Sequence, residues 1–422
     1  MTPGNTKLQN VMNEVRTTSP RTARSISRFA LLALVLILVP PGRAQTFTVL
    51  HYFAGNGDGA EPTAGVLVDP RGDIYGTTNR GGSFNYGTVF RLDANGQEAL
   101  LHNFLGGEGL FPSGSLIPDS AGNLYGETLD GGAPEGGGCA HGCGTVFRGN
   151  NNGTGAVLYS FAGTTDGGAP SGGLIRDAAG NLYGTTENGG IESCYVQYGC
   201  GVIFKLDATN HETVLYEFTD GVDGKMPDGI IADVAGNLYG TTYDGGIYGI
   251  GCVYELSATG AFTVLYSFPG GADSSVPNGH LVMDAAGNLY GTTSSAFDSE
   301  GYGIVFKLDP AGNLTVLYNF LVASDGEYPN SLVMDSAGNL YGVTLGGGTG
   351  SGCYYGSCGT VFKLDTQGTK TILHNFTGAD GELPNSLTMG GPGNLYGTTL
   401  GGGKGSACSY YHGCGTVFEL SR

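Results

Sequence analysis

The sequence has no tryptophan, few charged residues and no hydrophobic run long enough to span a membrane. Charged residues make up 13% of its 422 residues. The most apolar stretch, residues 29–39, has 11 residues, whereas a helix that crosses a bilayer needs about 20. We therefore expect no membrane span in the mature chain. A nucleophile elbow, a phosphate-binding loop, a zinc-binding helix and a dinucleotide fingerprint are also missing, so the motifs predict no cofactor.

Basic residues are scarce, and several of them lie near the N-terminus. Four arginines between residues 16 and 28 precede the apolar run, and Pro-Pro-Gly-Arg-Ala follows it. This order is typical of a signal peptide, so we predict a leader at residues 1–44 and a single domain at 45–422; an uncleaved N-terminal anchor is the alternative. The mature chain would have 12 basic and 36 acidic residues, a net charge of −24. Such a surface does not suit nucleic acid, and we expect a secreted, periplasmic or cell-surface protein.

Glycine is abundant, with 80 residues, and it marks a repeat. The element Gly-Asn-Leu-Tyr-Gly, once Gly-Asp-Ile-Tyr-Gly, occurs seven times at intervals of 50 to 58 residues. Each copy lies among four short runs rich in β-branched and aromatic residues, which we name strands a, b, c and d in chain order. Such runs, separated by Asp- and Gly-containing turns, predict a small antiparallel sheet. We therefore predict an all-β fold, a seven-bladed β-propeller of four-stranded blades.

The ends of the mature chain predict how the ring closes. A d-type run, residues 47–53, precedes the first a strand, and a c-type run, residues 415–420, comes last. The seventh blade thus lacks a d strand of its own, and we predict that the N-terminal strand completes it. A linear solenoid is the alternative.

The repeats read Gly-Asn-Leu-Tyr-Gly-Thr-Thr, then Gly-Thr-Val-Phe-Lys-Leu-Asp, then Thr-Val-Leu-Tyr-Ser-Phe. This wording resembles the GloVer-type tandem repeats of bacterial choice-of-anchor surface proteins, over about residues 46–420. The resemblance implies an exported bacterial protein of unassigned biochemical role, and it transfers no catalytic residues. The pattern is also loosely similar to other propeller repeats, some of which are lactonases or lyases.

Loop lengths predict which face of the propeller carries function. In a meander, the b–c and d–a loops emerge on one face, and these are the long and varied ones, so a binding site is expected there. Four of the b–c loops contain a cysteine pair, which in an exported chain predicts a disulfide; metal or redox sites are the alternative. The predicted pairs are Cys139 with Cys143, Cys194 with Cys200, Cys353 with Cys358, and Cys408 with Cys414.

The cysteine-containing loops also carry aromatic and imidazole side chains. The candidates for ligand contacts are Tyr195, Tyr198, Tyr354, Tyr355, Tyr410, Tyr411, His141 and His412. Tyrosine offers rigid, amphipathic contact area, which suits recognition of an extracellular ligand or protein of unknown identity. Alternatively, these rings pack over neighbouring glycines and order the loops.

The d–a loops carry an acidic residue four positions before a proline in every repeat. These residues are Asp58, Glu108, Asp166, Asp223, Asp273, Asp325 and Asp380. One interpretation is a ring of carboxylates at the channel mouth that binds Ca²⁺ or a cationic ligand. The other is turn chemistry, which is favoured because one carboxylate per loop does not make a Ca²⁺ cage.

His280 breaks the repeat at the start of a strand a, where other units have Gly, Ser or Val. Strand a should line the central channel, so His280 is the one candidate for a general base; a channel-lining role is the alternative. The sequence therefore predicts a non-enzymatic binding or scaffold propeller that acts through its disulfide-bonded loop face. A propeller enzyme with a site at the channel mouth, such as a lactonase, a lyase or a glycan-active hydrolase, is the alternative.

Overall fold

The computed structural model describes residues 45–421 except 56, 133–138, 151, 152, 154, 192, 193, 195–198, 271–275, 295–300, 354, 355, 392, 406, 407 and 409–411. The predicted leader, residues 1–44, lies outside the described residues. The described residues fall in one compact unit, residues 44–422, and form 29 strands and one short 3-10 helix, Ala323–Asp325. None of the helical structure in this part of the chain is long and apolar enough to cross a membrane.

The strands form seven antiparallel sheets, each with the order a-b-c-d. The a strands are Leu67–Val68 (β2), Leu110–Pro112 with Ile117–Pro118 (β6 and β7), Gly168–Arg176 (β11), Lys225–Ala232 (β15), Pro277–Met283 (β19), Glu327–Met334 (β23) and Glu382–Met389 (β27). The b strands are Ile74–Thr78 (β3), Asn123–Asp130 (β8), Leu182–Asn188 (β12), Leu238–Asp244 (β16), Leu289–Thr293 (β20), Leu340–Gly346 (β24) and Leu395–Gly401 (β28). The c strands are Thr88–Leu92 (β4), Thr145–Asn150 (β9), Val202–Leu206 (β13), Cys252–Leu256 (β17), Ile304–Leu308 (β21), Thr360–Leu364 (β25) and Thr416–Ser421 (β29). The d strands are Glu98–Asn103 (β5), Ala156–Ser160 (β10), Glu212–Glu217 (β14), Phe262–Ser267 (β18), Leu314–Asn319 (β22), Lys370–Asn375 (β26) and Thr46–Tyr52 (β1).

The N-terminal strand β1 is the d strand of blade 7. Its sheet has the order β1-β29-β28-β27, and β1 runs antiparallel to β29 with Phe47 opposite Leu420 and Val49 opposite Phe418. The predicted seven-bladed propeller and its closure by the first strand are confirmed.

In five blades the repeated tyrosine of strand b donates to the aspartate of the a–b turn before it. In blade 3, Asp177 accepts hydrogen bonds from the Asn181 backbone at 2.8 Å, from the Asn181 side chain at 2.6 Å and from the Tyr183 hydroxyl at 3.1 Å. One carboxylate thus satisfies three donors of the same hairpin, as expected for an Asx turn. This bonding explains why an aspartate precedes the repeated element in six of the seven repeats; in the seventh, Gly390 replaces it and Tyr396 donates to Glu419 instead.

The hydrophobic core lies between neighbouring blades. The strand-c ring of one blade meets, edge to face, the phenylalanine that follows strand d of the preceding blade, as in Phe53 with Phe90 at 5.2 Å between ring centroids. The last glycine of the repeated element makes room for the ring, since a Cβ on Gly76 would lie 2.6 Å from Phe90 Cζ. Interblade packing of this kind holds the seven a strands around one axis.

Candidate functional site

A polar cavity of about 210 Å³ lies at the axis, where residues from all seven blades meet. Its polar side chains are Thr63, Ser113, Ser115, Asp228, Asn278, His280, Asn330, Ser331, Asn385 and Ser386. They come from the beginnings of the a strands and the residues just before them, next to the d–a loops. The cavity is therefore on the side of the propeller from which the d–a and b–c loops emerge.

Hydrogen bonds between blades hold the wall of this cavity. Asn330 donates to the side-chain and backbone oxygens of Asn385, both at 3.1 Å, and Asn385 donates to the backbone oxygen of Thr63. Ser113 donates to the backbone oxygen of Pro170 at 3.0 Å. The residue after the strand-a proline thus links one blade to the next, which fixes the positions of the polar groups around the axis.

His280 lies in this cavity, as predicted for strand a, and its side chain is exposed. It extends toward blades 3 and 4, because a Cβ on Gly229 would lie 2.6 Å from His280 Nδ1 and a Cβ on Gly173 would lie 3.9 Å from His280 Cε1. Asp228 of blade 4 lines the same cavity. The surroundings of the imidazole are polar, so His280 keeps access to a ligand.

Glu127 in β8 is a second break in the repeat, and the sequence interpretation missed it. The side chain is 1% exposed; its Oε1 accepts a hydrogen bond from Gly173 N at 2.7 Å, and Oε2 has no partner among the described residues. Burial raises the pKa of Glu127 to about 8, with further contributions from the charges of Asp228 and Glu187. The signal was present in the sequence, where Gly-Glu-Thr replaces the Gly-Thr-Thr of five other repeats.

All four predicted cysteine pairs are disulfides: Cys139–Cys143, Cys194–Cys200, Cys353–Cys358 and Cys408–Cys414. The ninth cysteine, Cys252, is a buried free thiol. It lies 3.4 Å from both Thr242 Oγ1 and the Asp223 backbone oxygen, and burial raises its pKa to about 11. A thiol with this environment is unreactive at neutral pH.

The six candidate tyrosines, Tyr195, Tyr198, Tyr354, Tyr355, Tyr410 and Tyr411, lie outside the described residues. His141 and His412 are both exposed. They belong to the b–c loops of blades 2 and 7, which are separated by blade 1 in the ring. The recognition role of these eight residues stays a prediction.

The described acidic residues of the d–a loops bind side chains of the strand d that precedes each loop. Asp58 lies 3.7 Å from His51, Glu108 2.9 Å from His102, and Asp380 3.1 Å from His374. Tyrosine hydroxyls donate to Asp166 and Asp223, each at 3.0 Å, and to Asp325. Asp273 lies outside the described residues.

These carboxylates are therefore distributed among separate loops, and none of the six lines the axial cavity. Four of them also accept backbone N–H groups of the loop: Asp58 from Ala54, Asp166 from Ala162, Asp223 from Thr219, and Asp380 from Thr377. Within the described residues, no group of three or more His, Cys, Asp or Glu is arranged to hold a metal ion. The local bonding fits turn chemistry, and binding of Ca²⁺ to the ring stays a hypothesis.

The fold and the axial cavity define this protein as a seven-bladed β-propeller of tandem repeats. The chain belongs to the Gloeobacter/Verrucomicrobia repeat family, whose model matches residues 38–227 and 193–418. No curated protein matches it in sequence.

Solved propellers share the fold at low sequence identity. Virginiamycin B lyase from Staphylococcus aureus is 12% identical with a TM-score of 0.59, and the match covers 90% of this chain and 99% of the lyase. The extracellular domain of a one-component system from B. thetaiotaomicron is 13% identical with a TM-score of 0.57, over 90% of this chain and 40% of that one. At these identities the likeness concerns the fold alone.

Proposed function

We propose that this chain is an exported binding protein that takes up a small polar ligand at the channel mouth. The observation that carries the proposal is the polar axial cavity of about 210 Å³, to which all seven blades contribute. It lies on the side of the long d–a loops and the disulfide-bonded b–c loops, where a rigid scaffold usually presents its binding residues.

The chemistry of the cavity wall supports a hydroxyl- or amine-bearing ligand. Asparagine, serine and threonine side chains supply both donors and acceptors, and they are held in place by bonds between blades, such as that from Asn330 to Asn385. The volume is below the roughly 300–1,000 Å³ of sites for drug-sized molecules. We therefore infer a ligand of few heavy atoms, or the terminal unit of a larger one.

The disulfide-bonded b–c loops emerge on the same face of the propeller as this site. Each bridge closes a short ring, with sequence separations of 4 to 6, and such rings limit the conformations of a loop before a ligand binds. We infer that loop residues such as Tyr195, Tyr410 and His412 extend the contacts to a larger ligand or a partner protein.

Four disulfides also support export, because such bonds form and persist in oxidising compartments. The basic and apolar N-terminal segment expected as a leader, residues 1–44, agrees with this inference. Secretion, periplasmic location and surface attachment are each compatible with it.

A ligand screen tests the proposal. Purified mature chain is mixed with monosaccharides, amino sugars, amino acids and polyols, and binding is measured by thermal shift and calorimetry. We expect a hit whose affinity falls in His280→Ala and Asn330→Ala but not in His211→Ala, an exposed histidine of a c–d turn on the opposite face. Hits that bind all three variants like wild type would contradict a site in the cavity.

An enzyme is the second candidate, favoured by the position of the residues that break the seven-fold repeat. His280 and Asp228 line the cavity, and the buried Glu127 has its pKa raised to about 8 mainly by burial. Groups with shifted pKa values beside a cleft are typical of acid–base sites. Turnover of a lactone or a glycan that is lost in His280→Ala and kept in His211→Ala would favour a lactonase, a lyase or a glycan-active hydrolase.

A further inference from the structure

The gap between the outer strands of blades 1 and 2 lacks two side chains that the other blades supply. In blade 2, Gly149 of strand c and Gly155 just before strand d come directly after the paired residues Arg148 and Ala156. Each of the other blades has a buried leucine of strand c opposite a larger side chain of strand d. These pairs are Leu92 with Glu98, Leu206 with Glu212, Leu256 with Phe262, Leu308 with Leu314, Leu364 with Lys370, and Leu420 with Phe47.

The strand-d member of such a pair can cover an aromatic or imidazole ring of the preceding blade. The stacked examples are Phe47 on His374, at 3.6 Å between ring centroids, and Phe262 on Tyr216, at 3.9 Å. The corresponding ring of blade 1 is His102, which lies two residues before Phe104 as His374 lies two before Phe376. Because Gly155 has no side chain to cover it, His102 is 27% exposed, against 17% for His374.

The two glycines leave an apolar cavity of about 30 Å³ between the blades. Its apolar wall consists of Val89, Leu101, Phe104, Leu124 and Phe147. The lining also includes His102 and Glu108, whose Nε2 and Oε1 atoms lie 2.9 Å apart. Gly155 and Val157 line the cavity as well, and both are exposed. The cavity is therefore open to a molecule that approaches from solvent.

The size and chemistry of the cavity indicate what could enter it. One water needs about 10–15 Å³ of such volume, so the enclosed part accepts a short alkyl group and not a whole ring. A ring fits outside it, over His102, since the rings of Phe47 and Phe262 are themselves only partly buried. An alkyl group gains free energy on leaving water for this apolar wall, and a planar ring gains from stacking on the imidazole.

We propose that the gap between blades 1 and 2 is a second binding site, which takes a small aromatic molecule with a short alkyl substituent. The ring stacks on His102 as Phe47 stacks on His374, and the alkyl group takes the space that a leucine fills in the six other blades. A hydroxyl on the ring can donate to the exposed carboxylate of Glu108. The site goes beyond the proposed function, because it shares no lining residue with the axial cavity.

Three probes separate the two parts of the ligand. 4-Methylphenol has both the ring and the alkyl group, phenol lacks the methyl group, and 4-methylcyclohexanol lacks the aromatic ring. Binding to the mature chain is followed by NMR, on the Gly155 amide and the His102 Cε1–H resonance, which His102→Tyr identifies. We expect a dissociation constant of roughly 1 mM for 4-methylphenol. Phenol should bind about fourfold more weakly, and 4-methylcyclohexanol about three- to tenfold more weakly.

Two variants restore the missing side chains. Gly149→Leu supplies the leucine of the other blades, and Gly155→Phe supplies the ring of Phe47 and Phe262. Neither glycine has a positive φ; a Cβ on Gly149 would meet no atom within 4 Å, and one on Gly155 would lie 3.6 Å from the Arg148 backbone oxygen. Both variants should therefore fold with at least the stability of wild type, and both should weaken binding of 4-methylphenol at least tenfold.

Gly57→Leu is the matched control. Gly57 is exposed in another d–a loop, and a Cβ there would meet no atom within 4 Å, so this variant should bind 4-methylphenol like wild type. Binding that survives in both Gly149→Leu and Gly155→Phe overturns the site. Equal affinity for 4-methylphenol and 4-methylcyclohexanol overturns the stack on His102. The inference also fails if roughly 10 mM 4-methylphenol, ten times the expected dissociation constant, leaves the His102 and Gly155 resonances unmoved.

Discussion

Phe47 stacks face to face on His374, with ring centroids 3.6 Å apart and ring planes 2° apart. Phe47 lies on β1, the strand that completes blade 7, and His374 lies on strand d of blade 6. Phe262 makes the same contact with Tyr216 at 3.9 Å between blades 4 and 3. The N-terminal strand therefore reproduces both the backbone pairing and the side-chain contact between blades that connected strands make elsewhere in the ring.

Phe47→Ala should destabilise the propeller by about 2 kcal/mol, because it removes an aromatic stack and leaves a gap beside Phe376 and Phe418. Urea denaturation measures the loss. Phe262→Ala is the matched control: we expect a similar loss of stability, whereas faster hydrogen exchange along β1 and β29 should follow only from Phe47→Ala. An unchanged midpoint in Phe47→Ala would show that the first strand does not hold the ring closed.

The number of blades and the closure could be predicted from the sequence because both depend on local pattern. Each blade is a series of hairpins with its own turn signals, such as Asp177 before Tyr183. The d-type run at Phe47 has no blade of its own, and the last c strand is the one that lacks a d strand beside it. The radial position of a loop residue could not be predicted. Asp58 and Asp380 were placed at the channel mouth by one interpretation, but they lie against His51 and His374 on the outer strands.

The sequence of a single repeat also could not predict that Glu127 and Asp228 lie near each other. Comparison of the seven repeats marks each as a departure, but they are 101 residues apart and come from strands b and a of different blades. Their proximity depends on packing between blades, and Gly114 and Gly173 let blades 2 and 3 approach closely, since a Cβ on Gly114 would lie 2.4 Å from Gly173 Cα.

Gly149→Leu should stabilise the protein. Gly149 in β9 stands where the six other c strands have a buried leucine: Leu92, Leu206, Leu256, Leu308, Leu364 and Leu420. An apolar cavity of about 30 Å³ lies beside it, lined by Val89, Leu124 and Phe147, and a Cβ at 149 would meet no atom within 4 Å.

Filling this space and removing a strand glycine should raise the free energy of unfolding by about 1–3 kcal/mol, measured by urea denaturation. Gly126→Ala in the adjacent strand is the contrast: its Cβ would lie 2.5 Å from Phe147 Cζ, so it should destabilise. A Gly149→Leu protein no more stable than wild type would contradict this prediction, because it would show that the space between blades 1 and 2 cannot accept a leucine side chain.

Glu127→Thr should flatten the dependence of stability on pH. The pKa of Glu127 is raised in the folded state to about 8, chiefly by burial, from roughly 4.3 in an unfolded chain. Between these values the folded state binds more protons, so its stability falls as pH rises. The variant should match wild type most closely near pH 4.5 and exceed it by up to about 5 kcal/mol above pH 8.

Melting and urea curves from pH 4.5 to 9 measure this difference. Burial also raises the pKa of Glu187, which leaves a smaller decline of the same sign in the variant. Glu255→Gln provides the control for loss of an acidic residue elsewhere in the blades. Parallel stability curves for wild type and Glu127→Thr would mean that Glu127 is ionised in the folded protein.

Denatured, unreduced protein should contain one reactive thiol, and native protein none. Eight of the nine cysteines are paired, and Cys252 is fully buried with its pKa raised to about 11 by burial. Thiol titration in concentrated guanidinium chloride, before and after reduction, should therefore give one and then nine. In Cys252→Thr, which has the residue of Thr145 and Thr360 at this position, the first value should fall to zero. Reduction should cost about 2 kcal/mol for each short ring opened. Several reactive thiols in the unreduced protein would contradict the pairing of the four loops.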